Sequence, residues 1–400
     1  GGGSGSIIRR NFDGTSDSTF VSPALLMSNV DPRINSMALQ ADGTIIVGGA
    51  FYSIGGAARG NLARLTPNGV VDGLFLTNGA SHTVNSLENQ PDGKVIVAGQ
   101  FSRVETSVRA GVARIVPGAF VRVTPFDFDG DGRADVSVFR ASEGRWYILQ
   151  SGDLTMRQVN FAIAGDVPTP ADFDGDGKTD VAIYRPSNGD WWSLSSSTGQ
   201  QINGSFGQTN GTPLPSDYNG DGRADYIIYR PATGYWSRIS SATGEGFDRS
   251  FGAPGDKPVI GDFNGDGMSD VAIYRPSDGN WWWWSSSDNI QRATRWGIAE
   301  DIADAADYTG DGRSDFAVFR PSTGVWYIYD AANNSSIIYP FGTAGDRPVS
   351  GDYDGDGRAD TSVFRPTTGV WYVLRTTAGY TGYQWGIATD SAIPNVYVPQ

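Results

Sequence analysis

A unit of 45 residues repeats six times in this 400-residue chain, and it constrains the fold more than any other feature. One copy runs Asp172-Phe-Asp-Gly-Asp-Gly-Lys-Thr-Asp180 and continues Val-Ala-Ile-Tyr-Arg-Pro. A Trp and an Arg keep the same spacing downstream, as at Trp191 and Arg185. Three markers in one register predict a repeat architecture, in which each unit buries its apolar faces against its neighbours. The leading Asp of the six units stands at Asp127, Asp172, Asp217, Asp262, Asp307 and Asp352.

Each unit predicts four short strands. The segment 181–185 is apolar on both faces and is stopped by Pro186, and the turn 187–189 leads into a second strand at Trp191. An apolar pattern on both faces is typical of a strand that is covered on both sides. Four strands in about 45 residues match one blade of a propeller. The sequence therefore predicts an all-β fold, a β-propeller built from four-stranded blades.

Residues 7–120 carry a different repeat, in which residues 36–51 match residues 86–101 at an offset of 50. Its Asp-Gly turns predict hairpins, in about two and a half blades. Since propellers need about four blades or more, we expect these to join the six C-terminal units in one ring of eight or nine blades. Strands within Ile7–Phe20 and Ile393–Val398 would then share the closing blade, whereas the alternative is a separate C-terminal ring of six or seven blades.

The predicted domains are accordingly a flexible Gly/Ser segment at 1–6, blades at 7–120, and the six blades of the 45-residue unit with a closing strand at 121–400. The first segment resembles either a linker scar or a native flexible terminus.

The loop that opens each C-terminal unit follows Asp-x-Asp-x-Asp-Gly-x-x-Asp, which predicts calcium binding. Ca²⁺ takes six to eight oxygen ligands in a flexible cage, and positions 1, 3, 5 and 9 supply side chains while position 7 supplies a carbonyl. An EF-hand would need Glu at position 12 and a helix, but position 12 here is Val or Ile, as at Ile183, within a predicted strand. We expect up to six structural Ca²⁺ ions.

Three loops depart from the pattern at position 3, where Asn219 and Asn264 keep a neutral oxygen and Thr309 offers a poorer ligand. The fifth loop is therefore expected to bind most weakly. The predicted ligands, loop by loop, are Asp127, Asp129, Asp131, Arg133, Asp135; Asp172, Asp174, Asp176, Lys178, Asp180; Asp217, Asn219, Asp221, Arg223, Asp225; Asp262, Asn264, Asp266, Met268, Asp270; Asp307, Thr309, Asp311, Arg313, Asp315; and Asp352, Asp354, Asp356, Arg358, Asp360.

Aromatic residues outside the repeat register are candidates for ligand contacts. Six of the 12 Trp are periodic and are predicted to pack between blades. Trp282, Trp284 and Tyr235 are not, and an exposed ring there could stack on a sugar, although packing against the neighbouring blade is the simpler interpretation. The periodic Arg, as at Arg185, is predicted to pair with an Asp or with blade carbonyls.

Composition excludes several classes of function. A formal net charge of −14 argues against binding to nucleic acid or to anionic membranes. The chain has no Cys, so it offers no thiol nucleophile, and no apolar run reaches the ~18 residues of a membrane span. The only histidine is His82, and the carboxylate pairs are accounted for as calcium ligands. The sequence therefore predicts a protein that is not an enzyme.

The six units resemble the FG-GAP/VCBS-type calcium-loop repeats of bacterial exported proteins, and residues 7–120 resemble the delta-60 type of propeller repeat. The resemblance implies a secreted or cell-surface bacterial protein, stabilised by calcium, that acts as a binding or adhesion module. We expect its partner to be a glycan or an extracellular protein, with self-association as a further expectation. The alternatives are a structural subunit of a surface layer or filament and, ranked last, a carboxylate-based hydrolase or lyase.

Overall fold

The structure is a computed structural model, and it describes residues 4–10, 14–17, 20, 23–26, 32–40, 44–55, 57–65, 69, 71, 75, 79–90, 94–104, 107–115, 124–207, 211–265, 267–286 and 288–394. These residues form strands, turns and loops, and none of them lies in an α-helix. No helix that could span a membrane is found in this part of the chain. The predicted all-β fold is confirmed.

The chain divides into two compact units, Gly1–Phe120 and Val121–Gln400. Strands of the N-terminal unit form four sheets, in the orders β1-β2-β5-β6, β3-β4-β7, β12-β9-β8 and β10-β11. The described strands of this unit are β1 (Ser4–Ser6), β2 (Ala24–Leu26), β3 (Arg33–Leu39), β4 (Ile45–Ala50), β5 (Ser53–Ile54), β6 (Ala57–Ala58), β7 (Leu62–Leu65), β8 (Val84–Asn89), β9 (Val95–Gly99), β10 (Arg103–Val104), β11 (Ser107–Val108) and β12 (Val112–Ile115).

The repeat of 50 residues is visible in these strands. β3, β4 and β7 recur 50 residues later as β8, β9 and β12, and both copies carry a bulge at the same place, between Ile34 and Ser36 and between Val84 and Ser86. Apolar residues of both copies, such as Ile46 and Val97, form one buried cluster. Each copy therefore buries its apolar face against the other.

The Gly/Ser segment includes three described residues, Ser4–Ser6, and its flexibility stays a prediction. These three residues form β1, which pairs antiparallel with Ala24–Leu26. Strand pairing uses main-chain groups, so a Gly/Ser sequence with no apolar pattern can still extend a sheet. Residues 1–3 lie outside the described residues.

The C-terminal unit contains six sheets of four antiparallel strands, one for each 45-residue repeat. Its strands are β13 (Val136–Arg140), β14 (Arg145–Leu149), β15 (Met156–Asn160), β16 (Val167–Pro168), β17 (Val181–Arg185), β18 (Asp190–Leu194), β19 (Gln201–Ser205), β20 (Thr212–Pro213), β21 (Tyr226–Arg230), β22 (Tyr235–Ile239), β23 (Gly246–Ser250), β24 (Lys257–Gly261), β25 (Asp270–Arg275), β26 (Asn280–Trp284), β27 (Gln291–Arg295), β28 (Ile302–Ala306), β29 (Asp315–Arg320), β30 (Val325–Asp330), β31 (Ser335–Pro340), β32 (Arg347–Pro348), β33 (Thr361–Arg365), β34 (Val370–Arg375), β35 (Gly379–Gln384) and β36 (Ser391–Ala392).

The six sheets close on themselves, so the expected single ring of eight or nine blades is wrong for this unit. β36 pairs with β13, with Ala392 opposite Val138, and supplies the fourth strand of the first blade. Apolar residues of the first and sixth blades, such as Val136 and Trp371, share one buried cluster. The closing strand was expected to involve Ile393–Val398, but Ser391 and Ala392 form it, and residues 395–398 lie outside the described residues. Of the other expected closing strand, Ile7–Phe20, the described residues form only an isolated bridge between Arg10 and Ser16.

A ring of main-chain hydrogen bonds links the six calcium-type loops, which we number 1 to 6 in chain order. In each loop the residue at position 8 donates its N–H to the carbonyl of the leading Asp of the preceding loop, at 2.6–2.7 Å. The series includes the bond from Ala134 in loop 1 to Asp352 in loop 6, which completes the circle. We call these six contacts the inter-loop hydrogen bonds.

The periodic tryptophans form the core, as predicted. All six are at most 1% exposed. Five donate the indole N–H to the carbonyl of the aromatic residue that ends the unit, as Trp191 does to Phe206 at 2.6 Å. The next residue, such as Gly207, has a φ of +147°, and a Cβ there would lie 2.6 Å from the Tyr184 hydroxyl. Only glycine fits both requirements.

Candidate metal centres

The leading Asp of each loop organises the loop backbone. In loop 2 the Asp172 carboxylate accepts the N–H of Gly175 at 2.6 Å and the N–H of Gly177 at 2.8 Å. Both glycines have positive φ, +76° and +88°, which L side chains rarely adopt. All six loops repeat these two contacts. The Asp-x-x-Gly-x-Gly spacing thus winds the loop around one carboxylate.

The Asp at position 9 anchors each loop to the strands of its own blade. Asp180 is fully buried, and its carboxylate accepts the N–H of Phe173 at 2.9 Å and the N–H of Ser196 at 2.6 Å. Sequence reasoning missed the second contact, although a Ser or Thr 16 residues after position 9 was a visible signal. The equivalent donors elsewhere are Ser151, Ser241, Ser286 and Thr376.

Among the described residues, three loops bring carboxylates from three different residues close enough to share one ion. Oxygens of each set lie within 4.8 Å of one another. Loops 1 and 2 use positions 1, 3 and 9, whereas loop 6 uses positions 1, 3 and 5. The sets are Asp127, Asp129 and Asp135; Asp172, Asp174 and Asp180; and Asp352, Asp354 and Asp356.

The electrostatics of these loops favour a cation. Burial, together with the negative charge at position 3, raises the pKa of the position-9 carboxyl to about 7 in Asp135, Asp180 and Asp360. In loop 6 one oxygen of Asp354, Oδ1, is buried and has no hydrogen-bond partner among the described residues. Crowded carboxylates with an unsatisfied buried oxygen match the donor set that Ca²⁺ requires.

Loops 3 and 4 carry an amide at position 3, and it bonds to the blade. The Nδ2 of Asn219 donates to Ser240 Oγ at 3.1 Å, and that of Asn264 donates to Ser285 Oγ at 3.0 Å. The predicted ligand Asp266 lies outside the described residues.

Loop 5 contains an acidic neighbour that sequence reasoning missed. Asp330 is 3% exposed and is the last residue of β30. In three other blades the equivalent residue is a serine that bonds to the position-3 side chain of its loop. These serines are Ser195, Ser240 and Ser285. Burial raises the pKa of Asp311, and the negative charges of Asp307 and Asp330 raise it further. Asp330 therefore brings to loop 5 a carboxylate that Thr309 at position 3 does not supply. The expectation that loop 5 binds most weakly stays a prediction.

The side chain at position 7 covers the preceding loop. A Cβ added to Gly130 would lie 2.5 Å from the Lys178 side chain, and one added to Gly355 would lie 3.0 Å from that of Arg133. The sequence predicts only a carbonyl ligand at this position, and that role stays a prediction. The same packing recurs for Arg223, Met268, Arg313 and Arg358.

The three candidate ligand-contacting aromatics are all partly buried. Trp282 and Trp284 pack against the apolar cluster between the third and fourth blades. Arg249 covers the ring of Trp284 at 3.6 Å from its centroid, and the guanidinium of Arg230 lies 5.1 Å from the ring centroid of Tyr235. The two tryptophans thus pack between the third and fourth blades, whereas Tyr235 lies beside Arg230 in the third blade.

Comparison with protein families agrees with this arrangement. A model described as FG-GAP-like repeat matches residues 127–183, 172–228, 262–318 and 307–361, which together make up half of the chain. The chain belongs to the FG-GAP-like repeat family. A second model, a β-propeller domain of unknown function, matches residues 40–75 and 90–117 of the N-terminal unit. No curated protein matches the sequence.

Solved structures similar to this FG-GAP-like repeat protein include TolB from Acinetobacter baumannii, at 13% identity and a TM-score of 0.48, with 76% of this chain and 79% of that chain covered. A catalytically inactive virginiamycin B lyase from Staphylococcus aureus matches at 10% identity and a TM-score of 0.38, with 89% and 97% covered. A functionally unknown protein from Desulfotomaculum acetoxidans matches at 11% identity and a TM-score of 0.41, with 64% and 98% covered.

Proposed function

We propose that this protein is an extracellular β-propeller, stabilised by calcium, that binds a glycan or another protein without catalysing a reaction. The observation that carries the proposal is the set of three carboxylate clusters in loops 1, 2 and 6, each with oxygens within 4.8 Å of one another. In our proposal the ions are structural, because the loops that would hold them link the blades into a ring.

The residues present fit Ca²⁺ in kind and number. Each of these loops offers several carboxylates, and Asp354 Oδ1 has no partner within the described part of the chain. Calcium bound by Asp127, Asp172 or Asp352 and its neighbours would supply the positive charge that offsets their mutual repulsion. Mg²⁺ fits less well, since it demands a stricter octahedron and gives up its water reluctantly.

The expected stabilisation is large enough to decide whether the ring is folded. Calcium at about 100 times its dissociation constant stabilises the folded state by roughly 2.7 kcal/mol per site. Three such sites give about 8 kcal/mol, which is comparable to the whole stability of a typical domain, about 5–15 kcal/mol. Millimolar calcium outside the cell would saturate sites of this kind, which supports an extracellular location.

The test is thermal unfolding in calcium, in EDTA, and in EDTA followed by excess Ca²⁺ or Mg²⁺. We expect a large fall in melting temperature in EDTA that calcium reverses and magnesium reverses poorly. Asp352→Ala should reduce the calcium-dependent shift more than Thr309→Ala, and Asp278→Asn, an exposed Asp outside the loops, is the matched control. A melting curve that EDTA leaves unchanged, in protein that holds no calcium by metal analysis, would contradict the proposal.

A second candidate function is a structural subunit of a surface layer or filament. The outermost strands favour it, because Ile338 and Tyr339 on β31 and Tyr380 on β35 are 55%, 41% and 61% exposed along sheet edges. Exposed apolar edges can pair with a second copy. Regular polymers in electron micrographs without added ligand would favour this candidate, whereas glycan-array binding by a monomer would favour the first. A hydrolase or lyase ranks last, and turnover that survives calcium saturation and purification would be needed to support it.

A further inference from the structure

In five of the six blades the periodic arginine forms an ion pair with a buried Asp of the C-terminal unit. The Asp accepts from Nε at 2.7–2.8 Å and from Nη2 at 2.7–3.0 Å, and its side chain is at most 2% exposed. These pairs confirm the predicted structural role of the arginine. They are Arg140–Asp390, Arg185–Asp166, Arg275–Asp256, Arg320–Asp301 and Arg365–Asp346.

The third blade breaks this pattern at two positions. Gly211 stands 45 residues after Asp166 and 45 before Asp256, where the carboxylate is expected. Seven residues after the arginine, Ser237 replaces the Tyr or Trp that the other five blades carry. Arg230, the arginine of this blade, still ends its strand, β21, as the periodic arginine does in the other blades.

The Nε donor of Arg230 is left unsatisfied. Its Nε is buried and has no hydrogen-bond partner among the described residues. Tyr235, the direct cross-strand neighbour, replaces the missing aromatic, with the Arg230 guanidinium 5.1 Å from its ring centroid. A guanidinium that is buried at Nε and fixed against an aromatic ring is costly to leave unpaired, and its orientation is set before any ligand arrives.

We propose that Arg230 anchors a binding site for the carboxylate of an external ligand, with Tyr235 as the aromatic wall of the site. The five intact pairs show which chemistry this position accepts, since a carboxylate meets Nε and Nη2 with two parallel hydrogen bonds. Gly211 carries no side chain at the position where the other blades place the Asp carboxylate. Among carboxylate ligands an acidic sugar fits best, because its ring can stack on Tyr235 while its carboxylate pairs with Arg230, and this last point alone rests on the proposed binding function.

The site lies away from the calcium-type loops. Arg230 ends β21 and Asp225 of loop 3 immediately precedes the same strand, so four strand residues, 226–229, separate the two. Binding at Arg230 therefore needs no contact with a metal ligand. This separation allows the carboxylate site and the calcium proposal to be tested independently.

The experiment compares the whole chain in sodium acetate and in sodium chloride at equal ionic strength, with saturating calcium and at neutral pH. We expect acetate at several times its dissociation constant to raise the melting temperature of the wild type by about 2 °C or more. Gly211→Asp should restore the internal pair, raise the melting temperature by about 2–4 °C without acetate, and abolish the acetate response. Arg230→Gln should also abolish the response. The reciprocal change, Asp256→Gly, should create a second acetate-responsive site at Arg275.

Titration calorimetry with glucuronate, and with glucose as the neutral control, then tests the sugar. Binding of glucuronate that Gly211→Asp weakens at least tenfold, with no binding of glucose, supports the inference. An acetate response that is absent in the wild type, or unchanged in Gly211→Asp, overturns it. Failure of the EDTA test would overturn the calcium proposal and leave these outcomes unaffected.

Discussion

Asp304 places a carboxylate inside the fifth blade, where the equivalent residues of its neighbours are apolar. It lies on β28, is 7% exposed, and its Oδ2 accepts the hydroxyl of Ser350 at 2.7 Å. The residues at the same register in the fourth and sixth blades are Val259 and Val349. Burial raises the pKa of Asp304 from 3.8 to about 6. This carboxylate lies outside the calcium-type loops and gives a separate test of the core.

The sign of the effect follows from the direction of the shift. The folded chain holds the proton of Asp304 up to pH about 6, whereas the unfolded chain releases it near 3.8, so the free energy of unfolding falls as the pH rises between these values. The difference between the two pKa values corresponds to a cost of about 3 kcal/mol at neutral pH. Asp304→Asn keeps the shape and an acceptor for Ser350 but carries no charge. It should therefore stabilise the protein by up to about 3 kcal/mol at neutral pH and by almost nothing below pH 4.

Urea denaturation of the wild type and of Asp304→Asn, at saturating calcium and over this pH range, measures the effect. The loop carboxylates titrate in both proteins, so the difference between the two free energies of unfolding isolates Asp304. Asp278→Asn, which removes an exposed charge, should show no gain in stability as the pH rises, because the pKa of Asp278 is lowered and not raised. A difference that does not change with pH, or an Asn variant that is less stable at neutral pH, would refute the reasoning.

Three further outcomes are expected. Asp256→Ala leaves Arg275 without its carboxylate and should lower the free energy of unfolding by about 2 kcal/mol in urea, and an unchanged midpoint would contradict the structural role of the pair. Asp330→Asn should weaken one calcium site, seen in calorimetry as the loss of one binding event, and a titration identical to the wild type would show that Asp330 does not act on loop 5. Trp282→Ala should lower the free energy of unfolding by about 3 kcal/mol, because the Trp282 ring packs between blades. Loss of glycan binding at an unchanged melting temperature would show instead that Trp282 is a ligand contact.

The parts of the fold that repeat were predictable from the sequence. Trp191 and Asp172 recur every 45 residues, and strands, turns and loop shape depend on residues close to them in the chain. The apolar pattern at 181–185 predicts a covered strand, and β17 has that range and is buried along most of its length. Local chemistry repeated six times leaves little ambiguity about a blade.

The closure of the ring was not predictable in this way. β36 has only two residues, Ser391 and Ala392, with no apolar pattern, and its partner β13 lies some 250 residues earlier in the chain. Pairing over such a separation depends on the geometry of the whole ring, which no local pattern encodes. Asp330 was missed for a related reason, because it approaches loop 5 from a strand that carries no metal-binding motif.

The inter-loop hydrogen bonds would let a calcium ion bound in one loop affect the neighbouring loops of the ring. Each leading Asp, such as Asp172, offers its carboxylate to its own loop and its main-chain carbonyl to the next loop. An ion that held this residue in place would also hold its carbonyl, which accepts the position-8 N–H of the next loop. Ordering one loop would therefore lower the entropy cost of ordering the next. If the loops bind calcium as we propose, this coupling around a closed circle would make binding positively cooperative, so that occupancy would rise more steeply with calcium than at independent sites. The ring would then become ordered over a narrow range of calcium concentration.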